Sequence, residues 1–350
     1  MSMDDIQYMR RALELSEFCR GTTSPNPMVG CVIVHNDQII GEGWTQPYGE
    51  AHAEVQAVNS VDSEYLLPEA TAYVTLEPCS HYGKTPPCAD LLIAKGLKRV
   101  VIGTIDSNPQ VGGKGVKRLK EAGIEVDVGV LEAECRAMNV RFFTAIEKNR
   151  PYIILKWAQT TDGFVAHENY DSKWISGPES RALVHKWRAE EDAIMVGTNT
   201  AHYDNPRLDV RDWSGKNPVR VVIDKELRLS TDLNLFDGNQ PTLVYNEKKS
   251  ESNHCLDYVS VDGRNYLSFI LEDLQKRNIQ SIIIEGGSAL LNSFLERNLW
   301  DEARVFTAKV DFGQGIKAPE CSAELTHSAS IGEDTLETYR NAEPSELEKS

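Results

Sequence analysis

His52-Ala53-Glu54, Pro78-Cys79 and Pro87-Cys88 are the residues of this chain best suited to chemistry. One imidazole and two thiolates are ligands that suit Zn2+ and leave a fourth tetrahedral position open. Water in that position becomes a hydroxide nucleophile near neutral pH, because the cation stabilises the conjugate base. Glu54 stands two residues beyond His52 at an expected helix start, near enough to touch that water without ligating the metal. There it would carry a proton from the water to a departing amine. The rival reading is a zinc staple closed by a fourth ligand, with His81 the candidate; a staple has no use for Glu54.

Strands alternating with helices must position these groups. Met3–Cys19 has helical spacing, and Val29–Val34 and Ile39–Trp44 read as strands around a turn at His35–Gln38. A helix is expected from His52, a buried strand at Ala72–Leu76, a helix at Ala89–Lys95 and a strand at Arg99–Gly103. Lys114–Ala122 reads as a helix, Ile124–Val130 as a strand and Glu132–Glu147 as one long helix. The pattern predicts a three-layer α/β sandwich. Asn149-Arg150-Pro151 closes it, since proline cannot continue a helix, so the expected domains are 1–149 and 150–350. The second is α/β as well, with strands at Tyr152–Trp157, Ala193–Val196, Val219–Ile223, Thr242–Tyr245, Ser281–Glu285 and Ala303–Val310. Helices are expected at Glu179–Arg188, Leu267–Lys276 and Leu290–Arg297, and Gly332–Ser350 reads as a frayed tail.

At 350 residues, two domains are the natural expectation. With 37 basic residues against 53 acidic ones, the net charge of −16 repels polyphosphate backbones and argues against a nucleic-acid partner. The seven cysteines are odd in number and scattered, as in a reducing cytoplasm rather than a disulfide framework. Acidic Asp4 and Asp5 open the chain without an apolar stretch, so neither a signal peptide nor a membrane span is expected. No Gly-x-Gly-x-x-Gly follows a strand in the second half. Instead Ser281–Glu285 runs into Gly286-Gly287-Ser288 and a helix, where backbone N–H groups can meet phosphate.

His-x-Glu with Pro-Cys and a second cysteine is the pattern of zinc deaminases. Most keep two residues between the paired cysteines; here eight intervene between Cys79 and Cys88. Through this long loop, and through Ser24–Gly30, Thr75–Cys88 and Asp106–Gly115, the sequence resembles the bifunctional deaminase–reductase family of riboflavin biosynthesis. Lys156–Gly163, Ser172–Ile175, Asp204–Arg211 and Val222–Asp224 extend the resemblance into the second half. It implies a cytidine-deaminase-like first domain and a dihydrofolate-reductase-like second one, using Zn2+ and NADPH. Asn26, His81, Lys84 and Asn108 would contact the deaminase substrate. NADPH would lie against Ala158, Trp174, Thr200, Asp204 and the turn Gly287, Ser288, Ala289, Leu290, Leu291 and Asn292. Lys225, where a small polar residue is expected, either takes the extra phosphate of NADPH or points to solvent. Ser172, Arg188, Leu208, Arg211 and Glu285 would face the reductase substrate, the two arginines as clamps for a sugar phosphate.

The expected reactions are deamination of 2,5-diamino-6-ribosylamino-4(3H)-pyrimidinone 5′-phosphate and reduction of its ribosyl group to ribityl. The expected partners are this small molecule and further copies of the chain. Two rival readings are a nucleic-acid or nucleoside deaminase whose second half only binds nucleotide, and a non-catalytic protein with a structural zinc.

Overall fold

Chemical pattern shows in the first hairpin. Asn36 and Asp37 both take positive φ, which a two-residue turn demands, so His35 pairs with Gln38. The computed structural model describes residues 3–82, 86–108, 111–172, 175–261, 263 and 265–341. Two compact units divide the chain, Met1–Asn149 and Arg150–Ser350.

The first unit runs α1 (Met3–Ser16), β1 (Gly30–His35), β2 (Gln38–Trp44), α2 (Ala53–Asn59), β3 (Thr71–Leu76), α3 (Cys88–Ala94), β4 (Arg99–Thr104), α4 (Lys114–Glu121), β5 (Glu125–Val128), α5 (Glu132–Met138) and α6 (Val140–Glu147). Its sheet has the order β2-β1-β3-β4-β5, antiparallel through β1 and parallel from β3 to β5. Strand alternation sends Val32, Val34 and Tyr73 to one face, where Met9, Ala12 and Leu13 of α1 and Cys135 of α5 cover them. Cys31, Ile33, Ala72 and Val74 face the other way, against α2, α3, α4 and Phe143 of α6. Gly43 lets α2 lie close to the sheet, because a Cβ there would collide with the backbone of Ala53 and Ala57.

The helix expected over Glu132–Glu147 is two helices. Its apolar spacing continues through the break, but Asn139 leaves helical geometry at φ −104°, ψ 25°. Its buried side chain accepts from Met28 N at 2.7 Å and donates to Met28 O at 2.9 Å, which ties the helix junction to the segment after Asn26. Asn139→Ala strands both backbone groups, and destabilisation by about 2–4 kcal/mol is expected. Urea unfolding of the first unit, followed by tryptophan fluorescence of Trp44, measures it.

The second unit runs β6 (Tyr152–Thr160), β7 (Phe164–Ala166), α7 (Pro178–Glu190), β8 (Ala193–Gly197), α8 (Thr198–Asp204), β9 (Val219–Ile223), β10 (Thr242–Asn246), β11 (Glu251–Asn253), β12 (Leu256–Ser260), α9 (Tyr266–Lys276), β13 (Ser281–Ile284), α10 (Ser288–Glu296), β14 (Glu302–Ala308), β15 (Ile316–Lys317), β16 (Glu324–Ile331) and β17 (Asp334–Arg340). Ten strands form a sheet of order β11-β12-β10-β9-β8-β13-β6-β14-β17-β16. Its middle, β12 to β14, is parallel, and the strands beyond are antiparallel. Parallel strands covered on both faces read as continuous apolar runs, such as Ile153–Leu155 and Ile282–Ile284.

The frayed tail expected from Gly332 is corrected by β17, which pairs with both β14 and β16. Polar residues outnumber apolar ones in β17, which hides the pattern, but Leu336 turns inward. Buried Asp334 accepts from Gly177 N at 2.7 Å and from the Ser180 hydroxyl at 2.6 Å, anchoring the strand to the start of α7. Residues 342–350 lie outside the described residues.

Candidate active sites

In the first unit the chemistry gathers where β3 and β4 end. His52 caps α2 and Glu54 lies in its first turn; Cys79 follows β3, and Cys88 opens α3 after Pro87. His52 Nδ1 lies 3.7 Å from Cys79 Sγ and 3.4 Å from Cys88 Sγ. A ligand atom from each of the three falls within 4.8 Å of the other two. Among the described residues no other His, Cys, Asp or Glu joins this group, so the nitrogen and two sulfurs fit Zn2+ with one position left for solvent. His81 lines the same cavity without joining the group, which removes it as a fourth ligand.

The Cys88 thiol, His52 and the Cys88 backbone N–H at 3.2 Å draw Cys79 toward the thiolate. Burial, and then that thiolate, push Glu54 up to about 7. The acid is thus poised to hold or release a proton near neutrality. It borders a cavity of about 350 Å3 shared with Asn26, His52, Cys79, His81 and Asn108. Lys84 lies outside the described residues. Sequence reasoning passed over Glu77, Asp106, Phe142 and Ile146, which share the wall. Glu77 had a signal: a charge directly after a strand rich in apolar and β-branched residues.

The second unit has a cavity of about 870 Å3 at the carboxyl ends of β8, β9 and β13, the usual ligand position in an open α/β sheet. Ala158, Ser172, Thr200, Asp204, Leu208, Arg211, Lys225, Glu285 and Gly287–Leu291 line it. Ser172 donates to Asp204 at 3.1 Å, joining two of these residues. Gly197 N donates to Gly286 O at 3.0 Å, which ties the glycine turn to β8. Asn292 is not on the wall, since the helix turns it away after Leu291, and Trp174 lies outside the described residues.

Arg188 borders the cavity, but its guanidinium is closed on Glu285 by contacts of 2.9 and 2.8 Å, and on Asp209 O at 3.2 Å. Its fork is therefore engaged by a carboxylate, so any phosphate would meet Arg188 together with Glu285. Arg211 is half exposed and meets Asp209 at 2.8 Å and Asp212 at 3.9 Å. Lys225 stands at the cavity edge, 3.4 Å from Glu247 and 4.4 Å from the centre of the Tyr266 ring. Lys156 was missed as a site residue, although it is the lone charge in an apolar strand. Burial alone would raise Glu285; the charges of Arg188 and Lys156 outweigh it and bring it down to about 2. Burial also lowers Lys156.

The first part of the chain, residues 2–104, matches the family model for the cytidine and deoxycytidylate deaminase zinc-binding region. Residues 151–336 match the RibD C-terminal domain. The riboflavin biosynthesis protein RibD of Aquifex aeolicus is 44% identical over 319 residues, 89% of each chain. The chain belongs to the RibD family. RibD of Escherichia coli is 38% identical, covering 87% of this chain and 88% of its own. A solved diaminohydroxyphosphoribosylaminopyrimidine deaminase/5-amino-6-(5-phosphoribosylamino)uracil reductase of Thermotoga maritima superposes with a TM-score of 0.89 at 37% identity, over 97% of this chain and 99% of that one. RibD of Acinetobacter baumannii gives 0.88 at 34% identity over the same shares. As a RibD protein the chain is a bifunctional deaminase and reductase of riboflavin biosynthesis, with Zn2+ and NADPH as cofactors. No helix among the described residues is long and apolar enough to cross a membrane.

Proposed function

We propose that the first unit deaminates 2,5-diamino-6-ribosylamino-4(3H)-pyrimidinone 5′-phosphate, and that the second reduces the ribosyl group of the product to ribityl. The observation that carries this reading is the nitrogen-and-two-sulfur cluster with buried Glu54 at one cavity, in a chain with a second, larger cavity. His52, Cys79 and Cys88 would hold the metal, and Zn2+ bound there supplies water made nucleophilic near neutral pH. Glu54 takes the proton of that water and passes it to the departing amine, which leaves as ammonia. Asn26, His81 and Asn108 present amide and imidazole groups suited to the edge of an aminopyrimidinone, and Lys84 is the residue proposed for the phosphate.

In the second unit NADPH supplies the hydride. The start of α10 offers the backbone N–H groups of Ser288 and Ala289 to its phosphates, with Ala158, Trp174, Thr200, Asp204, Leu290 and Leu291 as its other proposed contacts. Lys225 would take the extra phosphate only by exchanging Glu247 for it. Ser172, Leu208, Arg211 and the Arg188–Glu285 pair orient the sugar phosphate, with Lys156 beside the pair. The scattered cysteines suit a reducing cytoplasm, where we place the enzyme, as a homo-oligomer.

Metal removal tests the assignment. After zinc is stripped by a chelator, ammonia release from the diaminopyrimidine should vanish and return with added Zn2+. NADPH oxidation on the deaminated substrate should continue at the parent rate. Loss of both activities, or of neither, contradicts two separate sites.

A further inference from the structure

Glu77 is almost wholly buried, between β3 and the metal ligand Cys79, and it touches no basic side chain among the described ion pairs. Its carboxylate is spent on backbone instead. Oε2 accepts from Asp106 N at 3.3 Å and Gly113 N at 2.9 Å; Oε1 accepts from Gly115 N at 2.8 Å and Val116 N at 3.1 Å. Three of these donors stand at the start of α4, where Gly113 brings no capping side chain of its own. A remote carboxylate therefore caps the helix.

The same contacts gather the segment that carries Asn108. Asn108 O accepts from Val111 N at 2.9 Å and Gly112 N at 2.8 Å, so the turn at Asn108 runs directly into the residues Glu77 holds. Gly115 is needed for the approach, since a Cβ there would collide with Pro78 O and press on Glu77 Oε1. Glu77, Asp106 and Asn108 all line the deaminase cavity.

We propose that Glu77 is a positioning residue: it fastens Asp106 and Gly113–Val116 to the strand end that bears Cys79, and so sets Asn108 at the height of the bound pyrimidine. The proposal rests on the deaminase reading of this cavity. A carboxylate is suited to the task because it accepts at both oxygens, whereas an amide turns a donor toward two of the four N–H groups.

The test uses the full-length, zinc-loaded enzyme. Glu77→Gln should raise the KM for the diaminopyrimidine on the order of tenfold or more, with kcat changed far less. Zinc content and NADPH oxidation on the deaminated substrate should match the parent. Gly115→Ala displaces the same segment by collision and should give the same KM signature, which keeps the test open if the first variant folds poorly. An unchanged KM in a folded variant, or loss of zinc with a fall in kcat alone, overturns the proposal. If the parent enzyme itself fails to release ammonia from this substrate, the deaminase reading fails instead.

Discussion

Glu54→Gln should lower ammonia release by about 10²–10⁴-fold, the usual contribution of a positioned acid–base group. The amide preserves size and hydrogen bonding but cannot take a proton from water. Because Glu54 stands outside the ligand group, zinc content should not change. The second unit should oxidise NADPH on the deaminated substrate at the parent rate. Ammonia assay, metal analysis and NADPH absorbance on one preparation measure all three. Full deamination by the variant would remove Glu54 from the mechanism; zinc loss would make it a structural residue.

Arg188→Met should cost the second unit about 3–5 kcal/mol, because it leaves a carboxylate buried without its main partner. Parent Glu285 is held at about 2, so its pairing energy is in place above the ordinary carboxylate range and fades only as pH falls toward 2. In the variant the sign reverses. Burial, opposed then chiefly by Lys156, raises Glu285, so the penalty grows as pH climbs above the ordinary carboxylate value and is relieved in acid. Reductase turnover should fall as well, since both residues face the cavity. The double variant Arg188→Met with Glu285→Met should regain much of the stability but none of the activity. Urea unfolding from pH 5 to pH 8 and NADPH oxidation decide it; equal stability at both ends of that range contradicts a buried, unpaired Glu285.

The metal cluster was legible because its chemistry tolerates few residue types. An imidazole, two thiolates and a carboxylate two places from the imidazole are conspicuous in any order of elements. The parallel strands were legible as apolar runs. What escaped was whatever depended on a distant partner. Asn139 breaks a helix only because Met28 stands beside it, and nothing in the helical periodicity records that. Arg188 and Glu285 each suggested a substrate contact, whereas their mutual grip appears only when α7 meets the end of β13. β17 escaped because one inward leucine among polar neighbours is too weak a period-two signal until β14 and β16 flank it.

The placement of β6 bears on what a broken chain would do. Its neighbours are β13 and β14, where Tyr152 meets Ser281 and Ile154 meets Glu302. Until those distant segments arrive, Ile153, Ile154 and Leu155 belong to a sticky ribbon with both hydrogen-bonding edges bare. A premature stop ahead of Ser281 should therefore yield aggregating debris rather than a weakened reductase, while the front hairpin, closed across two residues, is spared that wait.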